Sequence, residues 1–248
     1  MSTIYILWLR QVKRYLRSRS RIIGSLGQPL LFLITFGFGF GSIYQKAGQG
    51  NYMQFLAPGI ILMSVLFTAV FSGAELIWDK QFGFLKETLV APVPRYQIML
   101  GRTLGGASVA VFQGIIVLIL TLFVGFRPDT LHELLIGFIL IFLVAILFTS
   151  VGTIIASLME DMQGFQLIMN FLVMPTFFLS GAIFPLTAAP PVLKTITAFN
   201  PLTYGVDGVR GAFIGASTYG FAFDFLITAT VTALLLGLGS YLFSKIQV

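Results

Sequence analysis

Few side chains in this sequence are able to make or break bonds. Its 248 residues include nine Asp and Glu, one His and no Cys. Without cysteine there are no disulfides, thiolate metal sites or cysteine nucleophiles. His132 stands in a short polar stretch, and a metal site needs several ligands that are not close by. The phosphate-cradling pattern G-x-x-x-x-G-K-[ST] does not occur. No catalytic, cofactor-binding or metal-binding residue is therefore expected. Glu75 and Asp224 fall near the ends of apolar runs, where an interface would solvate them. An ion-gradient transporter would instead hold acids at mid-membrane depth. Asp207 and Arg210, three apart, can pair on one helix face. An exposed pair contributes only about 0–1 kcal/mol, so a structural role is expected.

These groups sit in an apolar chain. Hydrophobic residues make up 57%, charged residues 10%, and the mean hydropathy is +0.95, against about 25% charged in a soluble domain. The expected fold is an all-α polytopic membrane protein, one domain over 1–248. Six transmembrane helices are predicted at 22–43, 57–78, 99–126, 132–158, 165–185 and 219–243, each able to cross about 30 Å of hydrocarbon. No alternating ten-residue segments suggest a β-barrel. With the N-terminus inside, eleven of the fifteen Lys and Arg lie on inner segments and four on outer ones. Both termini are then cytoplasmic, with Gln81 inside and Gln49 and Thr195 outside. A cleavable signal peptide is not expected, because the basic region is long and no A-x-A-like site follows the first run.

Three connecting segments carry the remaining information. Residues 4–21 form an amphipathic helix, with Ile4, Leu7, Trp8, Val12, Tyr15 and Leu16 on one face and Arg10, Lys13, Arg14, Arg17 and Arg21 on the other. Such a helix lies in the membrane interface with Trp8 and Tyr15 at headgroup depth. It serves either as a lipid anchor and orientation signal or as a contact for a cytoplasmic partner. Between spans two and three, a short helix over 80–90 sets Phe82, Leu85 and Leu89 on one face, with Lys86 and Glu87 away from it. Pro92 and Pro94, before Arg95, stop and stiffen it. Its apolar face rests on lipid or fits a groove on a soluble protein. The segment 186–218 joining spans five and six reads as a re-entrant or interfacial helical hairpin over 186–215, with Asn200 as cap and Pro201 at the first helical position. In span five, Asn170, Met174, Pro175, Thr176 and Phe177, with Phe67 and Phe71 of span two, suit a path for amphipathic molecules or plain packing against lipid.

The stretch "FGFLKETLVAPVPRYQIMLGR" resembles the cytoplasmic segment after the second span of ABC-2 type transporter permeases. "LSGAIFPLTAAPPVLKTITAFNPLTYGVDGVRGAF" resembles the same family's stretch after the fifth span, through Ser180, Gly181, Phe184, Pro185, Pro191, Asn200, Pro201, Leu202, Thr203, Tyr204, Asp207 and Arg210. The likeness covers essentially the whole chain, and the drug-resistance and nodulation-factor export branch is the nearest in pattern. The resemblance implies a connecting helix at 4–20, a coupling helix at 80–90, and two such permeases (homodimer or related pair) joined to two ATPase subunits. ATP and Mg2+ would bind those subunits and nothing would bind here as a cofactor. It implies export of a drug, lipid or lipid-linked saccharide across the inner membrane of a prokaryote, with membrane lipids as partners and no nucleic acid. The rival readings are an ion-gradient-driven transporter and a non-transporting anchor of a complex.

Overall fold

The computed structural model describes residues 2–46, 50–90, 92–128 and 130–245; Gln49 lies outside them. Among the described residues the protein is helical, with no strand. The helices are α1 (Thr3–Arg17), α2 (Arg19–Lys46), α3 (Tyr52–Phe71), α4 (Ala74–Gln81), α5 (Phe84–Val90), α6 (Arg95–Phe123), α7 (Leu131–Leu158), α8 (Met162–Phe178), α9 (Pro191–Ala198), α10 (Pro201–Ile214) and α11 (Phe221–Ser244). A short 3-10 turn covers Leu186–Ala188.

Among the described residues, five helical stretches are long and apolar enough to cross a membrane: α2, α3 continued by α4, α6, α7 and α11. The predicted fifth span is shorter than expected. α8 has 17 residues, about 26 Å at 1.5 Å per residue, and the chain then turns irregularly through 179–185. Other boundaries differ for local reasons. The N-terminal helix ends at Arg17, where Ser18 leaves helical geometry, so Arg19 and Arg21 belong to α2. The predicted helix at 80–90 is divided, because Gly83 takes φ +79° between the end of α4 and the start of α5.

α3 is the centre of the bundle. It is apolar all round, as befits a fully enclosed helix, and contacts α2, α6, α7, α8 and α10. Its side chains from Leu56 to Leu66 are almost all buried. α10 packs among α3, α7 and α11 and is buried on nearly every side. Its start follows the sequence reading, since Asn200 Oδ1 accepts from the Leu202 amide at 3.0 Å and Pro201 occupies the first helical position.

α1 does not lie free on a surface. It runs along the first half of α6, with its residues 4, 7, 11 and 15 meeting α6 at positions that rise in step from 101 to 113. A glycine pair four apart makes the seat. A Cβ at Gly101 would stand 2.9 Å from the Ile4 carbonyl oxygen and 3.0 Å from Leu7 Cβ, and one at Gly105 would collide with Gln11. In lipid, where helices gain little from leaving water, such close backbone contact is a principal source of association.

Gly101→Leu should therefore unseat α1. Overpacking of this kind costs about 1–3 kcal/mol, so thermal stability in detergent should fall and protease should cut within residues 3–17 sooner. Gly27→Leu is the control, because a Cβ there meets nothing within 4 Å; its stability should be unchanged.

Candidate functional site

One group of charged side chains converges at one end of the bundle. On α4, Glu75 and Asp79 are four apart and share a face. α1 brings Arg10 and Arg14 to them, α2 brings Arg21, and α6 brings Arg102. Arg10 Nη2 donates to both oxygens of Asp79, at 2.8 and 2.9 Å. Arg102 Nη2 donates to Asp79 Oδ2 at 2.5 Å. Arg21 Nη1 donates to Glu75 Oε1 at 2.7 Å, with Arg14 at 3.8 Å and the Gln11 amide at 3.4 Å from Oε2. Asp79 is 4% exposed and Arg102 5%. Charges so enclosed persist only when paired. Beside them the Trp8 indole donates to Ser108 Oγ at 2.9 Å, and the Tyr15 hydroxyl donates to Gln113.

Several expectations are corrected here. Glu75 is not solvated at an interface but mostly buried in an ion network. Trp8 and Tyr15 are turned to α6 rather than to headgroups, and Arg10 and Arg14 to carboxylates. Lys13 and Arg17 remain exposed and join none of the described ion pairs. Asp79 and Arg102 were missed as a site. The usable signals were the Glu75/Asp79 spacing and an arginine seven residues into a long apolar helix.

The connecting segment follows directly. Lys80 Nζ donates to the carbonyls of Ala156, Ser157 and Met159 at 3.0, 2.7 and 3.0 Å, closing the C-terminal end of α7. Leu85 is only 2% exposed and belongs to the chain's own core, with Leu89 packed at its edge. Leu85 is therefore unavailable to a partner's cleft. The apolar surface left open is Phe82, Phe84 and Val90, exposed by 72%, 53% and 84%. Lys86 and Glu87 are exposed beside it, as are Pro92 and Pro94. Arg95 Nη1 donates to the Ser244 carbonyl at 2.7 Å, linking the start of α6 to the end of α11.

The residues suggested as a path do not meet in one place. Phe67 and Phe71 line a cavity of about 230 Å³ with Tyr15, Arg21, Ser25 and Gln28. Pro175 and Thr176 line an open groove on α8 with Phe171, Asn170 is exposed, and Met174 is half-buried. Phe177 is buried, edge-on to Phe32.

At the other end of the bundle, Asp207 and Arg210 do not pair with each other, and both are buried. Asp207 accepts from Ser217 Oγ and from the amides of Thr218 and Tyr219, at 2.7–3.0 Å. Arg210 donates to the carbonyls of Phe55 and Gly181, at 3.3 and 3.0 Å, and lies 3.8 Å over the Phe55 ring. Tyr204 donates to the Ala198 carbonyl at 2.8 Å. Asp224 is fully buried, not solvated, and its carboxylate oxygens have no hydrogen-bond partner.

Comparison with known proteins agrees with this architecture. Residues 2–214 match the family described as ABC-2 type transporter. The inner membrane transport permease YadH of Escherichia coli (strain K12) is 30% identical over 211 residues, covering 84% of this chain and 82% of that protein. The putative transport permease ycf38 of Cyanophora paradoxa is 29% identical over 214 residues, covering 84% and 72%. Nodulation protein J of Rhizobium leguminosarum bv. trifolii is 26% identical over 213 residues, covering 85% and 78%.

Asp79→Asn should be among the most damaging substitutions in the protein. It leaves two arginines facing a neutral amide, and breaking a buried pair costs about 3–5 kcal/mol. A large loss of thermal stability in detergent is expected, while Arg17→Ala, on the exposed face, should shift stability by no more than about 0.5 kcal/mol.

Proposed function

The chain belongs to the ABC-2 type transporter family, and on that premise we propose that it is the membrane subunit of an ATP-driven exporter. Its cargo is an amphipathic or lipid-like molecule: a drug, a lipid or a lipid-linked saccharide. Two separate ATPase subunits bind and hydrolyse ATP with Mg2+, and a second copy of this or a related permease completes the path. α8 together with the turn over 179–185 supplies the sixth crossing, and α9 and α10 form the outer, re-entrant hairpin. Both termini face the cytoplasm of a prokaryotic cell.

One observation carries the reading. Phe82, Phe84 and Val90 are exposed apolar side chains on a segment held at three points: Asp79 to α1 and α6, Lys80 to α7, and Leu85 to the core. A loop serving only to reverse the chain needs neither these side chains nor the anchoring. A rigid helix with an apolar end fits a groove on a soluble partner, and Lys86 and Glu87 offer polar contacts at its rim. Pro92 and Pro94 keep the link to α6 short of flexible torsions.

Burial of one apolar side chain is worth roughly 1.5–3 kcal/mol. Phe82→Asp with Val90→Asp should therefore abolish recovery of the ATPase in a pull-down, with normal membrane insertion. Leu85→Asp should act differently, lowering the yield of folded permease itself. Full recovery of the ATPase with the double variant would show that the segment is only a surface turn.

Orientation is tested separately. Single cysteines at Gln49 and Thr195 should react with an impermeant reagent on intact cells, and one at Gln81 only after permeabilisation. Labelling of position 81 from outside would reverse the topology.

A further inference from the structure

We propose that the cavity enclosed by α1, the first turns of α2 and the end of α3 is a binding site for the phosphate-bearing headgroup of an anionic amphiphile. The inference goes beyond the exporter reading, since it concerns a ligand of this chain and holds whether or not an ATPase docks.

Charge is the first reason. In the ion network Arg10, Arg14, Arg21 and Arg102 set four positive charges against the two negative charges of Glu75 and Asp79. Two positive charges are left without a carboxylate partner, and Arg10, Arg14 and Arg21 keep 36–40% of their side chains exposed, within reach of an anion from outside. Of the four arginines, Arg21 lines the cavity. It spends one of a guanidinium's five N–H donors on Glu75, so the remaining donors are free to hold a phosphate oxygen in a charge-assisted bond.

Shape is the second reason. On one side the cavity carries Arg21, Ser25 and Gln28, and on the other Phe67, Phe71 and Met63. Its volume of about 230 Å³ equals that of several water molecules at about 30 Å³ each. That is room for a headgroup and not for acyl chains. The same helix carries exposed apolar side chains, Ile23, Leu31 and Ile34, on its outer side, and acyl chains would lie along that side. A pocket with one basic wall and one apolar wall, on a helix whose outer side is apolar, matches an amphiphile better than a free anion.

Native mass spectrometry of the detergent-purified full chain tests this, with dioleoylphosphatidylglycerol, dioleoylphosphatidylcholine and inorganic phosphate as probes. Wild type should retain phosphatidylglycerol well above phosphatidylcholine. Arg21→Gln should reduce that retention about tenfold, the scale of one charge-assisted contact. Because Arg21→Gln also loosens Glu75, Gly24→Phe provides a second variant. Gly24 lines the cavity and a Cβ there meets nothing within 4 Å, so the ring fills the space and leaves the ion pairs intact. It should lower retention as strongly. Arg17→Gln, exposed on the same arm, should retain the lipid as wild type does. Equal retention of the two lipids would overturn the proposal, as would an equal loss in Arg17→Gln or full retention in Gly24→Phe. Retention of inorganic phosphate alone, without phosphatidylglycerol, would overturn the amphiphile in favour of a free-anion site.

Discussion

A carboxylate that enters the interior of a lipid-facing bundle has to be neutralised where it sits, and at Asp79 that requirement organises one end of this protein. Two guanidinium groups meet it, one from α1 and one from α6. Asp79 and Arg102 are enclosed, and the half-exposed Arg10 closes the pair from the surface, so each buried charge has its partner in place. Such a cluster adds little net stability compared with well-packed apolar residues. Its contribution is specificity: α1, α4 and α6 can sit together in one register only, because any other leaves a charge unpaired. Glu75 extends the same constraint to α2 through Arg21, so four helices share one electrostatic solution.

Close packing has to make that solution reachable. α1 approaches α6 near enough for Arg10 to reach Asp79 because Gly101 and Gly105 remove the side chains that would hold it away. Deeper in the bundle Gly73 meets the backbone of Gly152, which places the start of α4 against α7. From there Lys80 reaches the last carbonyls of α7. Packing and charge are thus one arrangement. The glycines fix distance, and the ion pairs and the lysine cap then fix which residues face each other.

Much of this was legible in the sequence, to a definable depth. Hydropathy alone locates the long helices, because a helix pairs its backbone within one continuous apolar run, whereas a barrel would need alternating segments that are absent. The Asn200–Pro201 cap was readable because capping is local. What was not legible depended on partners distant in sequence. The wheel of residues 4–21 gives an apolar face correctly, but a wheel cannot say whether lipid or α6 covers it. The stripe of Phe82, Leu85 and Leu89 has the same ambiguity: Leu85 turned inward and Phe82 outward once Gly83 broke the helix. Asp207 and Arg210 have the spacing of a pair, yet each is claimed by backbone groups from elsewhere, the loop at 217–219 and the carbonyls of Phe55 and Gly181. The hydropathy of span five runs past the end of its helix because Leu179, Ala182, Ile183 and Phe184 keep 179–185 apolar.

The same geometry bears on how force would travel under the exporter proposal. The segment around α5 is seven residues long, too short to hold its own shape as an isolated helix. Its rigidity is borrowed from its attachments. Leu85 roots it in the core, Lys80 fastens the preceding turn to α7, and Asp79, one residue earlier, is fixed to α1 and α6. A displacement of the Phe82–Val90 segment would therefore reach α6 and α7 together, as a rigid-body motion of that end of the bundle rather than as bending of a loop. Gly83, at φ +79°, lies between the two anchored parts and sets the angle at which α5 leaves α4. With that angle held by the bonds of Gly83 to Lys80 and Lys86, a push at the surface would pass to the helices behind it rather than be absorbed in the turn.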